Sequence, residues 1–236
     1  MLNLIDLQKN YTNEKLYQHI VVKFLSNKKI RIHEITNLSI KSFLNNVQLD
    51  DDLLSALSQN QELISLKTLE TIFFSQLNAE LKTNKGIVYT PEYIVDYMIN
   101  KTILFDDKIN DKKIIDPSCG SGTFLLRSVY KASKIKNINL IHFVENNIFG
   151  IDIDQDSVDH TKFLLNLLLV SLGYDKDFIK LNIILADSLE SNWMKEFNLS
   201  SKFDYIIGNP PYIKIQSLNK DYLSHLSSIY STMRSG

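Results

Sequence analysis

The stretch Lys113-Ile-Ile-Asp-Pro-Ser-Cys-Gly-Ser-Gly-Thr-Phe-Leu125 constrains the fold more than any other part of the chain. A short β-branched apolar run closes on Asp116, a loop with Gly120 and Gly122 follows, and Phe124, Leu125 and Val129 then recur at helical spacing. Strand, glycine turn and helix in that order open a nucleotide-type site. Glycine lets backbone approach a ligand closely, and the helix N-terminus presents unpaired N–H groups. No Lys follows the second glycine, so the loop is not a phosphate-cradling P-loop.

Three further apolar runs end in polar residues. Residues 147–154 predict a buried strand that ends at Asp152 and Asp154. Residues 181–187 predict one that ends at Asp187, and residues 203–213 one that ends in Asn209-Pro-Pro-Tyr212. Asp154 reads as the cap of the apolar helix over 158–172, which Gly173 stops, and Asp152 as the better ligand candidate. The polar stretch 134–139 reads as a lengthened connection. Strands alternating with helices imply a parallel sheet with right-handed crossovers, in which ligands sit beyond the carboxyl ends of the strands. Asp116, Asp152, Asp187 and Asn209 all fall there. An acid closing the first strand suits a ligand with a positive group, which favours S-adenosylmethionine (SAM) over NAD.

Before this core, residues 1–85 hold no proline and no glycine and read as a helical layer. Leu16, Ile20 and Phe24 mark one apolar stripe, Asp50-Asp-Asp52 suits a helix start, and residues 62–81 carry a second stripe through Leu66, Leu69 and Phe73. Residues 86–236 form the expected core. Thr90 fits an N-cap and Pro91 the first helical position, ahead of Ile94, Val95 and Met98. The four prolines of the chain, Pro91, Pro117, Pro210 and Pro211, all lie in these stretches, as do Gly86, Gly120, Gly122, Gly150 and Gly208.

Composition narrows the classes. The balance of 26 basic and 27 acidic residues lacks the basic excess of a self-sufficient nucleic-acid binder. No apolar run spans a bilayer and no signal peptide is evident, so a cytoplasmic chain without a membrane partner is expected. One cysteine excludes a disulfide framework and a cysteine zinc site, and the five histidines show no ligand spacing, so no metal is expected.

Asn209-Pro-Pro-Tyr212 after an apolar strand resembles the catalytic motif of N6-adenine DNA methyltransferases. Asp116-Pro-Ser-Cys-Gly-Ser-Gly122 resembles their SAM motif, and Tyr89-Thr-Pro91 ahead of it their additional SAM-contacting motif. The order resembles the gamma class, as in type I modification subunits and fused type II enzymes, over about residues 60–236. The resemblance implies a Rossmann-like α/β SAM-dependent methyltransferase core behind an N-terminal helical region, and a role in restriction–modification or phage defence. It implies DNA with a flipped adenine as substrate, and a specificity, target-recognition or restriction subunit as partner. By this resemblance Asn209, Pro210, Pro211 and Tyr212 are catalytic. Tyr89, Thr90, Pro91, Asp116, Pro117, Ser118, Cys119, Gly120, Gly122, Asp152, Ile153, Asp187 and Ser188 surround the cofactor, Asp152 at the ribose and Asp187 at the adenine amine. Cys119 reads as a small loop residue, because transfer to N6 is direct and needs no nucleophile. Methylation of a protein glutamine or an RNA base, or a non-catalytic subunit that needs a partner chain, are the alternative readings. The family has further strands after Asn-Pro-Pro-Tyr and a separate target-recognition domain. The sequence is therefore expected to be C-terminally truncated, with an incomplete sheet and no activity on DNA by itself.

Overall fold

The computed structural model describes residues 3–76, 90–212 and 218–234. Among them, four strands form one parallel sheet in the order β3-β2-β1-β4: β1 (Ile114–Asp116), β2 (Ile148–Asp152), β3 (Asn182–Leu185) and β4 (Tyr205–Ile206). Register sets Asp116 opposite Gly150 and Asp152 opposite Leu185, so the carboxyl ends of the strands share one edge of the sheet.

The pleat divides the sheet residues between two apolar clusters. Ile114, Ile148 and Ile183 face the larger one, which also takes in the N-terminal helices. Ile115, Phe149 and Ile151 face the smaller one, closed by Trp193, Phe197 and Phe203 around Phe149. No helix among the described residues is long and apolar enough to cross a membrane.

The N-terminal layer holds α1 (Leu4–Gln8), α2 (Asn13–Asn27), α3 (Leu38–Leu44), α4 (Asp51–Gln59) and α5 (Leu66–Gln76). Leu16, Ile20 and Phe24 are buried along α2, and Asp50 caps α4 by accepting the Leu53 N–H. The expected helix over 62–81 is shorter. A 3₁₀ turn, Gln61–Leu63, precedes Ser65, whose hydroxyl accepts the Thr68 N–H and restarts the chain as α5; residues 77–81 lie outside the described residues. Polar clamps hold the layer to the core. Buried Asn37 donates to Asn166 Oδ1 at 2.8 Å, and the N–H groups of Thr36 and Asn37 both reach the Asp175 carboxylate.

In the core, α6 (Glu92–Thr102) precedes β1, and α7 (Thr123–Ala132) follows the glycine loop. The connection to β2 is not simply extended. Asn139 caps a further helix, α8 (Leu140–Asn147), so β2 begins at Ile148. The helix α9 (Gln155–Ser171) is capped by Asp154 as expected, and Gly173 ends it at a φ of 89°. The short α10 (Trp193–Glu196) precedes β4, and α11 (Lys220–Ile229) follows the Pro-Pro segment. The strand expected over 203–213 shrinks to two residues. Ile207 still donates to the Ile115 carbonyl, but Gly208 then packs on Asp116 where an ordinary side chain would collide.

Candidate functional site

The site assembles from the loops beyond these strand ends. Gly120 and Gly122 take φ values of 51° and 84°, in the left-handed region that glycine adopts without strain. The Gly120 N–H donates to Asp152 Oδ2 at 2.7 Å, and the Asp154 N–H donates to Asp152 Oδ1 at 3.0 Å. Two backbone donors thus aim the acid that closes β2, while burial pushes its pKa up. Thr161 of α9 donates to the Gly120 carbonyl at 2.8 Å and blocks any side chain at Gly122, pinning the loop from behind. Beyond the would-be Cβ of Gly120 the space is open. Next to Asp152, Ile153 is 61% exposed and offers an apolar surface at the same edge.

Asp116 lies deeper than its position at a strand end implies. It is 1% exposed, accepts the Ser118 N–H at 3.0 Å and abuts Gly208. Burial, with the charge of Asp152 adding to it, raises its carboxyl to about 7. It underlies the loop and the start of the Asn-Pro-Pro segment together. Cys119 is buried against Gly150, and burial holds its thiol well above its ordinary pKa.

Thr90 and Pro91 are placed differently from expectation. Pro91, at φ −56° and ψ 138°, is itself the N-cap of α6, and no side chain caps that end. The Thr90 hydroxyl is therefore free for another task. Asn209 Nδ2 donates to Thr90 Oγ1 at 3.0 Å, across 119 positions of sequence. Asn209 Oδ1 in turn accepts the Tyr212 hydroxyl at 3.0 Å, and Tyr212 is 70% exposed beside it. Tyr89 lies outside the described residues. Arg127 of α7 fixes the geometry: its guanidinium forks onto Asp96 at 2.6 and 3.0 Å and reaches Glu92 at 2.8 Å. That pairing locks the helix after Thr-Pro to the helix after the glycine loop.

At the third strand end, Asp187 lies two residues beyond Leu185. Its Oδ1 accepts the Leu189 N–H at 2.9 Å and its Oδ2 the Tyr222 hydroxyl at 2.7 Å. Ser188 is held through its carbonyl, which accepts the Trp193 indole N–H at 2.8 Å. The structure thus brings Thr90, Pro91, the loop 116–122, Asp152, Ile153, Asp187, Ser188 and Asn209-Pro-Pro-Tyr212 to one edge.

Two residues here escaped the sequence reading. Glu70 of α5 is 5% exposed and accepts the Thr123 hydroxyl at 2.7 Å, so the N-terminal layer touches the first residue of α7. Its signal was legible, since an acid stands at i+4 of Leu66 on an apolar stripe. Tyr222 carried no local signal. No group of three or more His, Cys, Asp or Glu among the described residues is placed to hold a metal ion.

Residues 69–225 match the model of the N-6 DNA Methylase family. The chain belongs to that family. Within the N-6 DNA methylases, it is 31% identical over 159 residues to the type II methyltransferase M.BstVI of Geobacillus stearothermophilus, covering 63% of this chain and 28% of that protein. It is 30% identical over 166 residues to the methylase subunit of the type I restriction enzyme MjaVII of Methanocaldococcus jannaschii, covering 67% of this chain and 24% of the subunit. The chain spans about a quarter of the length of these curated relatives. In fold it is similar to the type IIL restriction-modification enzyme MmeI, solved in complex with DNA. The TM-score is 0.57 at 19% identity, over 80% of this chain and 32% of that one. The Rossmann-like α/β sheet behind an N-terminal helical layer is thus the methyltransferase fold expected from sequence.

Proposed function

We propose that this chain carries the SAM-dependent methyl-transfer core of an N6-adenine DNA methyltransferase of the restriction–modification type. Its substrate is an adenine extruded from duplex DNA. The hydrogen bond from Asn209 to Thr90 carries the reading. It joins the Asn-Pro-Pro-Tyr and Thr-Pro motifs at the edge where Asp152 receives the glycine loop. The names of the curated relatives agree with it.

The residues present fit SAM. Asp152, held by two N–H groups, would accept from the ribose hydroxyls, exposed Ile153 would meet the purine, and Asp187 would accept from its amine. Thr90, Pro91 and the loop 116–122, including Pro117, Ser118 and Cys119, bound the methionine end, with Asp116 as the buried support of that loop. SAM supplies a methyl group on a positively charged sulfur.

The chain's own part is to prepare the nitrogen that attacks it. The exocyclic amine of adenine is a poor nucleophile because its lone pair is delocalised into the ring. Asn209 Oδ1 and the Pro210 carbonyl accept its two N–H bonds and favour a tetrahedral nitrogen, whose lone pair would form the new N–C bond as the methyl's bond to sulfur breaks, after which the nitrogen gives up one of its two protons to water. With its NH₂ end donating to Thr90, Asn209 turns Oδ1 toward Tyr212 and so toward the side where the base enters. The prolines hold the acceptors in place beforehand, and positioning rather than a strong base carries the rate. Tyr212 stacks on the extruded base. Its hydroxyl now occupies Asn209 Oδ1, so the incoming amine displaces it.

On this reading residues 1–85 are a supporting helical region and 86–236 the catalytic core. The chain works in the cytoplasm, and a specificity, target-recognition or restriction subunit supplies contacts to DNA that its near-neutral charge does not. Titration calorimetry with SAM tests the cofactor half. Wild type binds, and Asp152→Ala loses binding by about 100-fold or more, since a charged acceptor is removed. A folded wild type that ignores SAM refutes the assignment. With the subunit that supplies the DNA contacts present, transfer of a tritiated methyl to N6 of adenine in duplex DNA, lost in Asn209→Ala while SAM binding stays, supports the substrate half. Transfer to a protein glutamine or an RNA base instead would replace it.

A further inference from the structure

The geometry around Asp187 points to Tyr222 as a positioning residue that makes the cofactor cleft select an amino over an oxo group at the purine 6-position. This inference rests on the SAM reading above and adds to it a residue of α11 that no motif contains.

Asp187 is tied down on both oxygens by groups that donate. Oδ1 takes the Leu189 N–H at 2.9 Å, which has no acceptor capacity, and Oδ2 takes the Tyr222 hydroxyl at 2.7 Å. The surrounding turn is fastened as well. Its backbone carbonyls accept Tyr230 Oη at Leu189, 2.6 Å, and the Trp193 indole at Ser188, 2.8 Å. His225 Nε2 lies 3.8 Å from Glu190, so α11 and its C-cap Tyr230 touch the turn 187–190 at three points. The Tyr222 phenol is held protonated, its pKa raised by burial and by the hydrogen bond to Asp187, and toward that carboxylate it acts as donor.

A carboxylate that already takes two donors offers a ligand nothing but further acceptor lone pairs. Its remaining lone pairs demand a donor from the ligand. The 6-amino group of adenine meets that demand. A 6-oxo group would set oxygen against oxygen, and such unpaired polar contacts are what a site rejects most strongly. Without the phenol, Asp187 can turn toward water, which loosens the selection.

The test compares S-adenosylhomocysteine with its deaminated counterpart, S-inosylhomocysteine, by calorimetry on wild type, Tyr222→Phe and Asp187→Asn. Wild type is expected to prefer the adenosyl ligand by about tenfold or more. Tyr222→Phe should weaken that ligand about five- to tenfold, the scale of one hydrogen bond to a charged group, while the inosyl ligand changes less than twofold. Asp187→Asn, which can present an N–H, should move the preference toward the inosyl ligand and keeps the question open to measurement should Tyr222→Phe fold poorly. Equal losses for both ligands in Tyr222→Phe would reduce the tyrosine to a merely structural contact and overturn the proposal, as would unchanged or tighter adenosyl binding. A folded wild type that binds neither ligand overturns the SAM reading itself, a different result from binding that Tyr222→Phe leaves intact.

Discussion

Glu70 is a buried carboxylate whose ionisation opposes folding. Burial is the main cause of its rise to about 7 from 4.5, with the charge of Glu92 adding and the Thr123 hydroxyl and Arg127 working against it. The folded chain keeps the proton to higher pH than the unfolded chain does, so stability present below pH 4.5 is lost as pH rises to about 7 and then levels off. A shift of that size corresponds to about 3 kcal/mol, at 1.36 kcal/mol per pKa unit. Glu70→Gln removes the titration while its amide oxygen still accepts from Thr123. The new NH₂ costs about 1 kcal/mol if it finds no acceptor. The variant should therefore be about 1 kcal/mol less stable than wild type near pH 4.5 and about 2 kcal/mol more stable at pH 8. In thermal unfolding, the difference in Tm between the two proteins should swing by about 6–12 °C over that range, at about 2–4 °C per kcal/mol for a chain of this size. Asp116, also raised to about 7, is common to both proteins and cancels. A pH-independent difference would refute the reasoning, because it would mean that Arg127 or Lys67 holds the Glu70 carboxylate as charged in the fold as in water.

Two further substitutions probe the packing. Gly208→Ala drives a methyl group into Asp116 Oδ1 and should cost about 1–3 kcal/mol in urea unfolding; an unchanged midpoint would show that the carboxylate can move aside. His160 stacks on Phe73 with centroids 3.9 Å apart, and among the described residues neither ring nitrogen has a hydrogen-bond partner. Burial depresses its pKa from 6.5 to about 3, so the folded chain resists the proton and stability falls as pH drops from 6.5 toward 3. His160→Phe should stabilise by about 1 kcal/mol at pH 8 and by about 3 kcal/mol more at pH 4.5; a gain that does not grow in acid would contradict the assignment of a neutral imidazole.

The parts of this fold that follow from local pattern were legible. Alternating apolar runs gave the four strands, and Asp50, Asp154 and Gly173 act as the caps and stop that their residue types favour. The positions Asp152, Asp187 and Asn209 share one edge because strand ends must do so in a parallel sheet. What could not be read depends on distance in sequence. Thr90 looked like a cap because it precedes proline, but Asn209 claims its hydroxyl. The helix Leu140–Asn147 hid behind a polar stretch that read only as a lengthened connection. The β4 region was read too long because apolar character continues through Ile207, whereas strand pairing stops where Gly208 must make room for Asp116.

The two halves of the site stand on footings of unequal firmness. The side that holds Asp152 rests on a five-residue strand paired along both edges, whereas Asn209 follows a two-residue strand paired, among the described residues, only to β1. Local opening takes least free energy where the fewest backbone bonds must break. On the proposed reading, the segment that rearranges to release Tyr212 and admit a base can therefore loosen while the edge at Asp152 keeps its shape, which would make binding of the methyl donor and adjustment to the base mechanically separate events within one sheet.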